Sequence, residues 1–259
     1  MGDKPYIEKK GEQVTLVDWT WSHSGVQWEK KFYRLFGNYI QKDLLRYCIY
    51  SNSLNDPAHQ LGHVYDVCER AKEIFNHFQD IEDLTDLDRA IVYHAALMHD
   101  LGCRYNRKDH HLIGYGLVYE LINRYDPNNF SVDHLRQIAV CVLEHRSSSK
   151  KKPSSVLSEI VAIADTGVPD IRLYLKRSLQ FRLSGLDGTY NTDEELFDGC
   201  YQHVVEKFGD EGYQWKSYPD IGLSYYAEEW DVFKEILKDK DRCLDILKSI
   251  KLELDNKKK

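Results

Sequence analysis

His99 and Asp100 are the residues of this sequence whose position most clearly calls for a bound partner. They close the segment AIVYHAALMHDLG, Ala90 to Gly102, which reads as a helix that is apolar on most sides. Such a helix is buried, and an imidazole with a carboxylate at its buried end is costly to desolvate unless something binds them. A divalent cation is the simplest partner. For the dipeptide alone, a hydrogen-bonded core histidine beside a helix-terminal aspartate is the plainer interpretation.

Three other polar residues occupy inward or terminal positions of apolar helical patterns. His63 lies one turn before Val67 on the apolar stripe of AHQLGHVYDVCERAKEIFNHF. His145 closes SVDHLRQIAVCVLEH, and Asp165 closes VLSEIVAIAD. His63 alone could equally be a core residue, and His145 alone could complement a helix dipole. The carboxylate of Asp165, at the end of an apolar helix, again requires a partner.

Local signals predict where the helices that carry these residues begin and end. Thr85 or Asp86 supplies the start of the helix that leads to the His-Asp pair, and Gly102 supplies its stop. The other starts are capping residues ahead of apolar periodicity: Asp56 with Pro57, then Ser131, then Ser154 or Ser155. Residues 26–50 read as one further helix.

The two ends of the chain differ in character from its middle. Residues 1–25 are polar and read as an irregular arm that Trp19 and Trp21 pin to the body of the protein. From about Ser184 the sequence is rich in aromatic residues, which we interpret as helices packed on the core. An aromatic wall against a nucleobase is the alternative. No segment alternates as a strand does, so the chain reads as nearly all helical.

Composition excludes several classes of function. The 259 residues carry a net charge of −7, which argues against a duplex nucleic-acid partner, since that needs a basic face. No apolar run is long enough for a membrane span, and the N-terminus has no signal-peptide core. The six cysteines include no CxxC pair. These features predict a reduced, cytoplasmic protein.

The order of these residues, H…HD…D, resembles the HD-domain superfamily of metal-dependent phosphohydrolases. The segments DPAHQLGHV, AALMHDLG and IVAIAD carry the resemblance, which covers roughly residues 40–182. It implies an all-α helical bundle with a metal site between packed helices. We therefore expect an N-terminal arm and first helix at 1–39, an HD-type core at 40–182 and a helical extension at 183–259 packed on that core.

The resemblance also implies a set of metal ligands. His63, His99, Asp100 and Asp165 would bind one divalent cation. Some members of the superfamily hold a second metal through an added His-x-x-x-Gly and a later helix-end histidine. The positions here that match these two places are His110 (with Gly114) and His145. We expect two metals bridged by Asp100, with one as the alternative. Imidazole and carboxylate ligands without thiolate favour Mn, Fe, Co, Ni or Mg.

Cationic residues flank the proposed ligands and could bind phosphate oxygens. Asp100, Lys108 and Arg146 are the residues that we expect to take part in catalysis, with Arg104 as a further phosphate contact. The serine- and lysine-rich stretch RSSSKKKPSS, directly after His145, is a candidate lid over an anionic substrate. For each cation a plain solvent-facing role is the alternative.

The resemblance implies hydrolysis of a phosphate ester or anhydride, and a small nucleotide is the expected substrate. A nucleotidase, a dinucleoside polyphosphate hydrolase and a cyclic-nucleotide phosphodiesterase remain open. Two alternatives lie outside hydrolysis. One is a metal-containing nucleotide sensor without turnover, and the other is a di-iron oxygenase on the same fold.

Overall fold

The computed structural model describes residues 6–9, 12–15, 23–56, 59–146, 151–183, 190 and 192–256. Over these residues the chain is helical, as predicted, apart from an antiparallel hairpin of β1 (Tyr6–Lys9) and β2 (Glu12–Thr15). The prediction that residues 1–25 form an irregular arm is therefore wrong at this hairpin. The tryptophans expected to pin the arm, Trp19 and Trp21, lie outside the described residues.

The chain divides into two compact units, residues 1–167 and 168–259. The described helices of the first unit are α1 (His23–Phe36), α2 (Lys42–Asn52), α3 (Leu61–Phe78), α4 (Asp86–Met98), α5 (His110–Tyr125), α6 (Val132–Glu144) and α7 (Val156–Thr166). Those of the second are α8 (Ile171–Leu183), α9 (Asp193–Phe208), α10 (Asp220–Tyr225), α11 (Ala227–Lys238) and α12 (Lys240–Asn256). The core expected at 40–182 runs past this boundary, so α8 groups with the second unit.

Helix α4 is the central helix of the first unit. Every residue from Ile91 to Met98 is buried, and the helix packs against α3, α6 and α7. Three predicted helix starts are confirmed in this unit, because the side chains of Thr85, Ser131 and Ser155 accept hydrogen bonds from the backbone amide three residues later. The residues that follow α4 thus emerge inside the bundle.

The prediction of a single helix over residues 26–50 is wrong, since α1 and α2 are separate. Gly37 ends α1 with a φ of +58°, in the left-handed region that favours glycine, and its amide donates to the Tyr33 carbonyl over 2.8 Å. The Gln41 side chain then caps α2 by accepting from the backbone amide of Leu44. Apolar periodicity continues across the break, which is why it conceals the turn.

Helix α3 begins at Leu61, later than the start predicted at Asp56 and Pro57. Pro57 lies outside the described residues. Asp56 does not cap the helix, because its two carboxylate oxygens each lie 2.9 Å from His59 Nδ1. The N-cap residue is Gln60, which makes no side-chain capping bond.

Gly102 has a different role from the predicted helix stop. Helix α4 ends at Met98, and a 3-10 turn then spans Leu101–Arg104. A Cβ atom on Gly102 would lie 2.1 Å from the backbone oxygen of His110. Glycine is therefore needed here because the start of α5 approaches the backbone closely.

Several aromatic residues of the tail lie in the core of the second unit. Phe208, Trp230 and Phe233 are buried, and their ring centroids lie 5.1–5.5 Å apart. Helix α8 packs against α9 and α12 around them. Their burial against one another leaves these three rings no face for a nucleobase. Within the part of the chain that is described, no helix has both the length and the hydrophobicity of a membrane span.

Candidate metal centre

The structure brings together six residues from the ends of five helices in the first unit. In chain order they are His63, His99, Asp100, His110, His145 and Asp165. Each lies in the first or last turn of α3, α5 or α7, or follows directly after α4 or α6. The ends meet because α4 packs on α3, α6 and α7, while α5 packs on α6.

His63, His99 and Asp165 form a first group of possible metal ligands. His63 Nε2 lies 3.3 Å from His99 Nε2 and 3.1 Å from Asp165 Oδ1. Asp100 Oδ2 lies 3.2 Å from His99 Nε2 and 3.4 Å from His63 Nε2. Two imidazole nitrogens and two carboxylates thus face one small space.

His110, His145 and Asp100 form a second group. The Nε2 atoms of His110 and His145 lie 3.0 Å apart. Asp100 Oδ1 lies 3.6 Å from His110 Nε2 and 3.9 Å from His145 Nε2. Asp100 therefore presents one oxygen to each group, as a carboxylate that bridges two cations does.

Backbone hydrogen bonds fix the protonation of three of these rings. The Nδ1 atoms of His99, His110 and His145 lie 2.6–2.7 Å from backbone carbonyl oxygens. A carbonyl can only accept, so Nδ1 must carry the proton. In a neutral ring Nε2 then holds a lone pair, and this is the atom that each ring directs into the cluster.

The arrangement fits a bound cation better than it fits a set of uncharged rings. The lone pairs of His110 and His145 face each other across 3.0 Å, and they repel unless a proton or a cation lies between them. Two nitrogens about 2.1 Å from one ion, at bond angles of about 90–110°, are roughly 3.0–3.4 Å apart. The buried Asp100 Oδ2 also accepts no hydrogen bond from any described residue, although two ring nitrogens lie within 3.4 Å.

The pKa shifts of His63 and Asp100 also indicate that the carboxylates of the cluster need a nearby positive charge. Burial by itself lowers the pKa of His63, but the carboxylates of Asp100 and Asp165 outweigh it and raise that pKa to about 9. Burial would raise the pKa of Asp100, yet His99 and His63 hold it far below its usual range. Burial lowers the pKa of His145 to about 4, so this ring stays neutral near pH 7 and its Nε2 keeps the lone pair that a cation would bind. A divalent cation supplies the charge that the carboxylates otherwise draw from protonated histidines.

The cluster opens to solvent on one side. The side chains of His63 and Asp165 are 25% and 21% exposed, whereas those of Asp100 and His145 are each 2% exposed. A substrate would therefore approach the first group, past His63 and Asp165.

The cations expected to contact phosphate lie on the two loops that follow Asp100 and His145. Arg146 is half-buried, and its Nη1 donates to the backbone oxygen of Lys108 over 3.0 Å, which ties the two loops together. Lys108 is exposed. Arg104 Nη1 donates to Ser51 Oγ. Residues 147–150 of the candidate lid lie outside the described residues.

Asn55 and Cys103 both contact Asp100, but the sequence does not identify them as residues of the site. Their one signal is that they lie close to the proposed ligands along the chain. Asn55 is buried, and its side-chain amide donates to the backbone oxygens of Asp100 and His59 over 3.0 and 3.1 Å. The Cys103 thiol donates to Asp100 Oδ1 over 3.3 Å. Both contacts depend on how the loops around α4 fold.

A family model described as the HD domain matches residues 61–166. The match begins at the first residue of α3 and ends at the last residue of α7, so it contains all six clustered residues. Comparisons with curated proteins and with solved structures find no match. Proteins with this domain are generally metal-dependent hydrolases. The HD-domain match over residues 61–166 is consistent with the HD-domain superfamily of metal-dependent phosphohydrolases.

Proposed function

We propose that the protein is a metal-dependent phosphohydrolase that cleaves a phosphate ester or anhydride of a small nucleotide. The observation that carries this proposal is the position of Asp100, whose two oxygens face two separate groups of histidine nitrogens. Two cations that share one carboxylate could hold several oxygens of a phosphoryl group at the same time. Such a site suits the hydrolysis of a phosphate ester or anhydride.

The residues present would hold two divalent cations. His63, His99, Asp165 and Asp100 Oδ2 would bind the first cation, and His110, His145 and Asp100 Oδ1 would bind the second. Both ligand sets consist of imidazole nitrogens and carboxylate oxygens. This favours Mn, Fe, Co, Ni or Mg.

Cations at these positions would polarise the phosphoryl group and lower the pKa of a bound water. The protein's part is to hold the ligands in place. Asp100 fixes the separation of the two groups, and the backbone bonds of His99, His110 and His145 hold their rings with Nε2 inward. Burial of Asp100 and His145 excludes bulk water from the inner side of the site.

The loops at the site support binding of an anionic substrate. Lys108 and Arg146 would contact phosphate oxygens, since both lie on loops at the site and the planar guanidinium of Arg146, held by its bond to the Lys108 backbone oxygen, suits phosphate geometry. The exposed ring of Tyr105, on the same loop, offers a stacking surface for a nucleobase. Its neighbour Arg104 lies over that ring.

Phosphate release from a panel of nucleotides, measured with each of the five metals in turn, tests the proposal. We expect turnover of at least one nucleotide, its loss in Asp100→Asn, and its retention in Asp109→Asn, a carboxylate on the same loop outside both groups. Nucleotides that bind and return intact with every metal would instead identify a sensor. Oxygen consumption by the iron-loaded protein, without phosphate release, would identify an oxygenase.

A further inference from the structure

A third group of possible metal ligands adjoins the candidate metal centre and is unlike the other two. It consists of His59, Cys103 and Asp100, whose ligand atoms all lie within 4.8 Å of one another. Among the candidate groups of the described residues, this one alone contains a thiol. Thiolate is a soft ligand that selects zinc over Mg or Mn.

The His59 ring is held by a carboxylate. Both carboxylate oxygens of Asp56 lie 2.9 Å from His59 Nδ1, so this nitrogen donates to the carboxylate. Nε2 is then the nitrogen that can bind a cation. A carboxylate that holds the far nitrogen of a histidine is the usual support of a zinc-binding imidazole, since it fixes the tautomer and makes the ring more basic.

Cys103 differs from the other cysteines in its surroundings. It is partly exposed, whereas the remaining five are buried. Its thiol donates to Asp100 Oδ1 over 3.3 Å. This oxygen also faces His110 and His145, which form the second group of the candidate metal centre. One carboxylate oxygen thus lies between two competing sets of ligands.

We propose that His59 Nε2, Cys103 Sγ and Asp100 Oδ1 form a zinc site that inhibits the enzyme. Zinc bound here would draw Asp100 Oδ1 away from His110 and His145 and so weaken the second cation site. Binding through the thiolate breaks the S–H bond, releases that proton to solvent and replaces the hydrogen bond with two zinc–ligand bonds. The inhibitory effect rests on the proposed function, whereas the zinc site itself does not.

Cobalt spectroscopy tests the site without measuring activity. Co²⁺ replaces zinc, and a bound thiolate gives a sulfur-to-cobalt charge-transfer band in the near ultraviolet. We expect this band in the wild type and its loss in Cys103→Ser, where the hydroxyl still donates to Asp100. The matched control is Cys243→Ser, since the buried Cys243 thiol also donates to an oxygen over 3.3 Å. It should keep the band, and His59→Ala should bind Co²⁺ at least tenfold more weakly at this position.

The outcomes separate the zinc site from the proposed function. Bound Co²⁺ without the near-ultraviolet band, or with a band that survives in Cys103→Ser, overturns the zinc site and leaves the candidate metal centre intact. A protein that binds no Co²⁺ at all overturns both. In activity assays, Cys103→Ser should need at least tenfold more zinc for half-inhibition. Equal inhibition of the wild type and Cys103→Ser by zinc would show that zinc acts at the candidate metal centre. It would overturn the inhibitory role of the proposed zinc site.

Discussion

The side-chain amide of Asn55 donates a hydrogen bond to the backbone oxygen of Asp100 over 3.0 Å. The same amide group lies 3.1 Å from the backbone oxygen of His59 and 3.2 Å from Asn52 Oδ1. Asn55 is 4% exposed, so water cannot replace these bonds. One buried amide thus links the loop between α2 and α3 to the residue that joins both metal-ligand groups.

Asn55→Ala should lower both stability and metal content. Loss of the amide leaves the buried Asn52 Oδ1 without this donor and weakens the tie to the Asp100 backbone oxygen, which keeps only its bond from the Cys103 amide among the described residues. The free energy of unfolding should therefore fall by about 1–3 kcal/mol. Urea denaturation measures this change, and elemental analysis measures the metal. The control is Asn38→Ala, whose exposed side chain accepts a hydrogen bond from the Tyr33 hydroxyl and should change stability by less than about 0.5 kcal/mol. Equal stability of the Asn55 and Asn38 variants would show that the buried amide does not support the site.

Single substitutions should separate the two cation sites. We expect about two metals per chain in the wild type, about one in His110→Ala and in His145→Ala, and fewer than one in Asp100→Ala, because Asp100 serves both groups. If the second cation contributes even ~3 kcal/mol of transition-state stabilisation, its loss slows turnover more than a hundredfold. Elemental analysis of each variant gives the number of metals per chain. The control is His111→Ala, because His111 lies outside both groups. One metal per chain in both the wild type and His110→Ala would leave a single-cation site.

Charge on the loop after His145 should affect substrate binding more than chemistry. Replacing Lys151 and Lys152 by Ser should raise KM at low salt and flatten its salt dependence. Exposed charges act over only about 10 Å at 0.1 M salt, so the difference should shrink as salt is added. A matched loss of two positive charges, Lys30→Ser with Lys42→Ser on α1 and α2, should leave KM much closer to the wild type. Similar KM values for both double variants at low salt would assign the loop lysines a plain solvent-facing role.

His94, outside the metal-ligand groups, should make the protein less stable in acid. It is fully buried, its Nδ1 donates to the Ala90 oxygen, and burial lowers its pKa to about 4. The folded pKa lies below the unfolded value of about 6.5, so the stabilising effect is complete above pH 6.5 and is lost as pH falls towards 4. The free energy of unfolding should fall by about 1–3 kcal/mol as His94 becomes protonated. The fall is limited because Asp126 Oδ2, 4.0 Å from His94 Nε2, offsets part of the added positive charge.

Urea denaturation of the protein at pH 7 and pH 4.5 measures this effect. Between the two pH values, the free energy of unfolding of His94→Gln should fall by less than that of the wild type, with a difference of about 1–3 kcal/mol. The exposed His77, replaced by Gln, should leave the fall unchanged. Parallel pH curves for the wild type and His94→Gln would mean that His94 stays uncharged or gains a full partner on acidification.

Several features could be predicted because they depend on residues close together in sequence. Thr85, Ser131 and Ser155 begin helices because each side chain bonds an amide only three residues away. The break at Gly37 was missed, because apolar periodicity continues on both sides of a turn that a single left-handed residue makes. The late start of α3 was missed because the Asp56 carboxylate bonds His59 and does not cap the helix.

The sequence by itself determined which groups could bind a cation and that they lie at helix ends. The carbonyls that orient His99, His110 and His145 are each three residues earlier in the chain, so the inward direction of Nε2 is also a local property. Only the tertiary structure decided that the two oxygens of Asp100 face different histidine pairs. His63 and His99 are 36 residues apart, and His110 and His145 are 35 apart. Their nitrogens meet because α3, α6 and α7 bury their apolar faces against α4 and because α5 packs on α6. Burial of apolar faces drives helices together without regard to their separation along the chain.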